Sequence, residues 1–395
     1  MFRSDRIPRR ASLDAVLGYA WTAGAFTSGD AMPAVGLTRS TTIEAIDDLV
    51  ELGLLRELPN ARAEGVYAKG RPSRRFEFCA DAAVVVGIDA GRAHIVTTVA
   101  DLRGRPLVAR TVENGPAGDT AAARRTVVES AVDAALAEVG RARDDVLAVC
   151  VGVPAPVDRA GNSPPHRDGF WQRMNADFYD LFAQWVPLVQ VENDANLAAI
   201  AERVAGAAGQ TKDYVALLAG ERLGSGIVVD GNLLRGAHGG AGELIAFDHV
   251  EGVGEVGGIG YRVAAWAREL IAAGTLPAAH PLRLLAPGRV TGRAVLELAR
   301  DGDAAASALI ERAGALLARI AGVFGSLYDP ALIIVSGGVA SGIDGVIDVA
   351  ERLLPAELDL PAPRLVASTL GADVVSIGAV SAAVEMARDG ALGVG

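Results

Sequence analysis

Three groups of residues have types and spacings that can do chemistry. The first is Thr38, Arg39, Ser40 and Ile43 in the stretch GLTRSTTIEAIDDLVELGLL (36–55), followed further on by Lys69, Arg71, Arg74 and Arg75. Arg and Ser side chains donate to phosphate oxygens and base edges, an exposed Ile meets a thymine methyl, and a basic cluster neutralises backbone charge. The second is Asp89 with Gly91 at the end of an apolar run. A carboxylate at a strand end can face a bound cation and Gly lets the backbone come close to a ligand, although β-hairpins use the same pair routinely. The third is Asn193 and Asp194, where VQVENDANLAAIAE (189–202) turns from strand to helix, with Glu243 at the end of a glycine-rich run. The bland reading of Asp194 is a cap on a helix starting near Ala195.

The elements that must position the first group occupy residues 1–80. ASLDAVLGYAWTAG (11–24) carries helical apolar spacing at Leu13, Val16, Leu17 and Ala20, with Gly24 as a stop. TSGDAMPAVG (27–36) reads as a short helix that Pro33 should kink or shorten. Thr38 can cap the next helix, which runs to Gly53. Thr42, Ala45, Ile46 and Leu49 share its inner face and leave Arg39, Ser40, Ile43 and Asp47 free to touch a partner. LLREL (54–58) and the end of VYAKGRPSRRFEF (66–78) read as two strands of a wing, joined through PNARAEG (59–65), with Lys69, Arg71, Arg74 and Arg75 at its basic tip. Gly70–Arg71–Pro72 is narrow enough for a minor groove. The pattern is a winged helix-turn-helix, with a helical protein–protein adaptor as the other reading. Glu44, Asp47 and Asp48 oppose phosphate on the outer face, although Glu44 can accept from a cytosine amino group.

Charge supports this division. The 395-residue chain has a net charge of −11, yet residues 1–80 hold 11 Arg and Lys against 10 Asp and Glu. Any nucleic-acid surface is therefore local to that part. Cys79 and Cys150 are too few for a disulfide framework and suit a reducing, cytoplasmic setting. The N-terminus lacks the apolar core of a signal peptide, and no apolar run reaches the length of a membrane span.

Beyond residue 80, AAVVVGIDAGRAHIVTTVADLRGRPL (82–107) reads as three strands. VLAVCVGVPAPVD (146–158) is a buried strand, YVALLAGERLGSGIVVDGNLLRGAHGGAGE (214–243) repeats the strand–Gly turn–strand unit, and ALIIVSGGVASG (331–342) feeds a Gly-rich turn. Two such units followed by helices imply two similar α/β lobes around a cleft. In their order and distances, Gly152-Val-Pro-Ala-Pro-Val-Asp158, Glu192-Asn-Asp-Ala-Asn196, Gly231-Asn-Leu-Leu-Arg-Gly-Ala-His-Gly-Gly-Ala-Gly-Glu243 and Ser336-Gly-Gly-Val-Ala340 closely resemble the ROK family of repressors, open reading frames and sugar kinases, on its repressor branch.

The resemblance covers almost the whole chain. It implies an α/β protein with a winged helix-turn-helix over 1–80. Over 81–395 it implies a two-lobed, actin-like ATPase (ribonuclease H-like) sugar-kinase-type body, with lobes near 81–197 plus the C-terminal helix and near 198–375. It implies sugar contacts from Asn193, Asp194 and Glu243, with Asp194 as a vestigial catalytic base. It also implies vestigial nucleotide contacts from Asp89, Gly91, Gly224, Gly226, Gly337 and Gly338.

Departures from the family are as telling. Its four zinc ligands fall at Ala246, Gly254, Val256 and Tyr261, so no metal is expected, and His249, Glu251 and Glu255 are better read as surface residues than as a substitute site. A further sugar-binding Glu falls at Val263. The first phosphate loop carries Ala93 and His94 in place of polar hydroxyls, and the second reads Gly220-Glu-Arg-Leu-Gly-Ser-Gly226, with Glu221 opposing phosphate. The expected function is a repressor of carbohydrate genes that binds double-stranded operator DNA as a homodimer or tetramer and senses a sugar or sugar derivative. The alternatives are a ligand-independent DNA-binding protein whose body only oligomerises it, and an ATP-dependent sugar kinase.

Overall fold

The structure is a computed structural model that describes residues 7–59, 73–115, 120–254 and 257–393. Helix α1 (Ile7–Thr22) leads into a two-residue strand β1 (Phe26–Thr27), α2 (Ser28–Val35) and α3 (Arg39–Glu51). Thr27 and Asp30 form a reciprocal capping box on α2, and Gly36 ends it in the left-handed conformation. Pro33 is exposed, and the eight-residue helix runs two residues past it. Thr38 caps α3, and Thr42, Ala45, Ile46 and Leu49 are buried as their spacing predicts. Strands β2 (Leu55–Leu58) and β3 (Arg75–Phe78) pair antiparallel, with β1 on the far side of β3. Lys69, Arg71 and the loop from residue 60 lie outside the described residues.

The body holds two five-stranded sheets of the same design. In the first, β4 (Val84–Ala90), β5 (His94–Asp101) and β6 (Pro106–Glu113) run antiparallel. Helix α4 (Ala121–Glu138) then leads to β7 (Val146–Val153), which lies parallel to β4. Short helices α5 (Phe170–Asn175) and α6 (Phe178–Ala183) precede β8 (Leu188–Asn193), giving the order β6-β5-β4-β7-β8. Helix α7 (Asp194–Val204) crosses to the second sheet.

There β9 (Tyr214–Leu218), β10 (Gly224–Val229) and β11 (Asn232–Leu233) are antiparallel. Helices α8 (Ile259–Ala272), α9 (Pro281–Leu284), α10 (Gly292–Arg300) and α11 (Ala304–Tyr328) intervene before β12 (Leu332–Ser336). Helix α12 (Asp344–Leu353), β13 (Arg364–Ala367) and α13 (Val374–Gly390) complete the chain, and the second sheet has the order β11-β10-β9-β12-β13. The repeated pattern of antiparallel strands beside parallel ones is the actin-like ATPase body. Among the described residues no helix is long and apolar enough to cross a membrane.

Helix α13 folds back onto the first sheet and packs against α7, so these two helices form the seam between the lobes. The seam is tight. A Cβ on Gly378 would lie 2.0 Å from the Leu197 carbonyl oxygen, so only glycine lets α13 and α7 meet at this distance. One hydrophobic core runs unbroken from Val16, Leu17, Phe76 and Phe78 of the N-terminal unit into Val85, Leu102 and Ala387 of the body. Separate cores lie behind each sheet. Because the Leu197 atom is backbone and cannot swing aside, Gly378→Ala should destabilise the protein by about 3 kcal/mol, measured as a lowered midpoint in urea unfolding.

Candidate functional site

Two places bring the sequence-marked residues together: the outer face of α3, and the cleft between the lobes. On α3, Arg39 and Ser40 are exposed and Ile43 is half-buried. Thr38 Oγ1 accepts the Thr41 N–H at 3.3 Å and hydrogen-bonds Ser40 Oγ at 3.1 Å, so the first turn is locally fixed. Two expectations for this face are corrected. Arg74 does not stand free for phosphate: it pairs with Asp47 at 2.7 Å and Glu57 at 2.8 Å and lies over the Phe76 ring. Asp47 is likewise spent on Arg74. The reason is proximity, since β2, β3 and the outer side of α3 bring one arginine against two carboxylates. Arg75 is half-buried within β3.

In the cleft, the strand-to-helix junction is capped by Asn193 rather than Asp194. Asn193 Oδ1 accepts from the backbone N–H of Ala195 at 2.9 Å and Asn196 at 3.2 Å, and its Nδ2 donates to the Ala155 carbonyl at 3.1 Å. Most of the amide's bonding capacity is therefore used within the protein. Asp194, the first residue of α7, accepts the Ala195 N–H on Oδ1 at 2.8 Å. Its carboxylate also takes its own backbone N–H. Burial, then the charges of Asp89 and Glu243, push the Asp194 carboxyl up to about 7. Burial likewise raises Asp89 to about 6, against the Gly91 N–H and the Arg124 charge, which lower it. Glu243 is raised by burial and eased by Arg222 and His166. The three carboxylates share one cleft but do not form a metal-ligand set among the described residues.

Glu243 is placed by the glycine-rich run before it. Gly239 adopts φ +73°, and a Cβ there would lie 2.0 Å from the Val157 carbonyl oxygen of the opposite lobe. Arg235 of the same run donates to Glu192 at 2.8 Å. Glu192 is 2% exposed and also accepts from Asn196 Nδ2 at 2.9 Å and the Asn193 N–H at 3.0 Å. This ion pair joins β8 to the loop that carries Glu243.

The nucleotide-side residues have mixed fates. Gly91 lies beside Asp89, and buried Arg124 donates to the Ala90 and Gly91 carbonyls from beneath that loop. Gly226 was expected beside phosphate, but its open face meets α7: a Cβ would lie 2.2 Å from the Ala195 carbonyl oxygen. Gly224 lies against Ala195 in the same way, at 3.3 Å. Gly337 takes φ +90° after β12, and Gly338 follows in the same turn.

Arg222 reaches across the cleft mouth to the Phe170 ring, 5.9 Å from its centroid, and Glu221 is exposed. The segment aligned with the family's zinc positions is held by backbone bonds to the 219–221 loop, with Arg262 Nε donating to the Gly257 carbonyl at 2.8 Å. Gly258 donates to Glu221 at 2.9 Å, Gly260 to Ala219 at 3.1 Å and Tyr261 to Gly220 at 3.2 Å. Ala246, His249 and Glu251 are exposed, Gly254 has φ +65°, and Glu255 and Val256 lie outside the described residues. Val263 is buried in the second lobe's core.

Residues 164–171 carry no role in the sequence reading, yet they line the cleft. The His166 ring packs 4.4 Å from Trp171, its Nδ1 donates to Asp168, and its charge bears on Glu243. The clustering of His, Asp and two aromatics in PPHRDGFW was the available signal.

The model of the ROK family matches residues 85–385. The solved structure of a ROK-family transcriptional regulator, described as a homologue of the E. coli Mlc protein, is 20% identical, covers 97% of this chain and 98% of its own, and has a TM-score of 0.74. A ROK-family glucokinase from Streptomyces griseus, solved with glucose and AMPPNP, is 29% identical with a TM-score of 0.62, over 77% of this chain and all of its own. The xylose repressor of Caldicellulosiruptor bescii is 24% identical over 53% of this chain and 51% of its own.

Two outcomes follow. Asp194 holds its proton more tightly folded than unfolded, where its ordinary value is 3.8, so it contributes stability at low pH that is lost as pH rises toward about 7. Asp194→Asn, which stays neutral, should unfold later than the parent at pH 8 by about 1.4 kcal/mol or more, the equivalent of one pKa unit, and show no gain below pH 4. Arg235→Ala leaves the buried Glu192 charge without its cation and should cost about 3 kcal/mol. Arg352→Ala, which breaks an exposed pair with Glu311, should cost about 0.5 kcal/mol in the same thermal-melt series.

Proposed function

This chain belongs to the ROK family, and from that premise we propose that it is a DNA-binding transcription regulator, acting as a repressor, whose degenerate sugar-kinase cleft senses a sugar or sugar derivative. One observation carries the reading. A Thr38-capped helix presents Arg39 and Ser40 to solvent beside a small three-stranded sheet, and this unit shares a continuous core with the ROK body. The similarity to a regulator runs through this unit, whereas the glucokinase is matched over its entire length without it.

The operator is double-stranded DNA, gripped by a homodimer or tetramer that sets two recognition helices about one helical turn apart. In the cleft, Asp194 and Glu243 accept sugar hydroxyls. A ligand that bridges them favours one lobe opening, and it shifts DNA binding only by its differential affinity for the two openings. ROK members include kinases as well as regulators, and Asp194 and Glu243 are the residues a kinase would need. Arg222 across the cleft mouth, Glu221 in the second phosphate loop and Gly226 against α7 all weigh against phosphoryl transfer. A constitutive, ligand-free DNA-binding role is favoured by Val263, which stands apolar where the family resemblance implies a sugar-binding Glu.

The test is selection of a duplex from a random library, followed by calorimetry against a panel of neutral, amino and phosphorylated sugars. Arg39→Ala should weaken the selected duplex by about 1–3 kcal/mol without altering sugar heats, and Asp194→Asn should blunt the sugar response without altering DNA affinity. Turnover of ATP with any sugar at ordinary enzyme rates would overturn the regulator reading. DNA binding with no heat from any sugar would leave the constitutive one.

A further inference from the structure

The turn between β5 and β6 is built to present one side chain outside the body. Asp101 is 4% exposed, and its Oδ1 accepts the backbone N–H groups of Arg103 and Arg105, each at 3.0 Å. Its Oδ2 faces Arg105 Nε at 3.2 Å. Held by this carboxylate, the turn directs Arg103 into the N-terminal unit, where it donates to the Ala20 carbonyl at 3.3 Å and the Ala23 carbonyl at 2.6 Å.

Ala20 belongs to the last turn of α1, whose carbonyls have no intrahelical donors, and the negative end of the helix dipole favours a cation there. The same guanidinium lies 5.5 Å from the centroid of Phe78 at the end of β3, and Phe78 packs 4.5 Å from Trp21 of α1. One body side chain therefore grips both elements through which the N-terminal unit joins the body. The neighbouring backbone adds a single bond, from the Leu102 N–H to the Ala80 carbonyl at 2.9 Å.

Beside this grip lies a cavity of about 910 Å³, walled by Trp21 and Thr22 of the N-terminal unit, Val96 of β5, Val204 at the end of α7 and Val384 of α13. Helix α7 thus begins in the interlobe cleft at Asp194 and ends at the wall facing α1. Arg103 itself lines this cavity, so the grip and the open space lie side by side under the N-terminal unit.

We propose that Arg103 is a positioning residue that fixes the orientation of the DNA-binding unit on the body, and that the cavity is the space into which this unit turns when the grip is released. The grip itself is read from geometry, and only its effect on DNA rests on the regulator reading. Arg103→Ala, Arg103→Lys and the control Arg352→Ala, which breaks only an exposed pair with Glu311, made in the full chain, separate the possibilities. Hydrogen exchange is followed at residues 19–23 and 76–80 and, as a check on the body's fold, at β7. Affinity is measured for a duplex selected with the parent protein.

Arg103→Ala should speed exchange at the junction about tenfold, leave β7 unchanged and weaken the duplex about tenfold. Arg103→Lys, with a point charge in place of the fork, should fall between, and Arg352→Ala should match the parent. Parent-like exchange in Arg103→Ala overturns the grip, and faster exchange with unchanged DNA affinity overturns the positioning role. Faster junction exchange in a protein that selects no duplex sustains the grip and overturns the regulator reading instead.

Discussion

The cleft depends on the Glu192–Arg235 ion pair. Glu192 is almost fully buried, and a carboxylate in that position is tolerated only when its oxygens are filled. Four donors fill them: the Asn193 N–H and Asn196 amide at the start of α7, the Gln190 amide of β8, and the Arg235 guanidinium from the other lobe. One charge thereby fixes where α7 begins and where the glycine-rich run crosses. Those two choices set the distance across which Asp194 and Glu243 face each other. The pair says little about net stability, since buried ion pairs often do no better than apolar substitutes. Its effect is geometric.

In the second lobe, the segment whose sequence departs from the family's zinc-ligand pattern is tied to its neighbour by paired backbone. Gly258, Gly260 and Tyr261 donate in turn to the 219–221 backbone, an arrangement that needs no side-chain ligands. The loop they pair with is the one expected to approach phosphate, and its Arg222 now spans the cleft mouth to Phe170. The departures from the family's zinc-ligand and phosphate-loop sequences thus meet in one short stretch of paired backbone.

Much of this was legible in the sequence. The face Thr42, Ala45, Ile46 and Leu49 and the strands of both sheets apart from β13 follow from apolar patterning, because burial selects residue type at each turn or alternate position. What could not be read is which of several suitable groups wins a given partner. Asn193 and Asp194 can both cap a helix, and only the backbone angle decides that Asn193 does. Arg74 looks like a phosphate ligand until the fold sets Asp47 and Glu57 beside it. Gly226 fits a phosphate loop and a helix crossing equally well, and its close approach to Ala195 is a tertiary fact. His166 keeps company with Asp168 and Trp171 close by in sequence, but its effect on Glu243 exists only once the chain is folded.

The unbroken core between the N-terminal unit and the body has a practical corollary. Val85, Leu102 and Ala387 are covered in part by Val16, Leu17 and Phe78. Truncating the chain after residue 80 to obtain a minimal sensor would strip that cover and leave a sticky greasy scar on the remaining fragment. Modular swapping of heads between relatives would therefore have to carry a matched seam of side chains with each graft, not merely a compatible joining peptide.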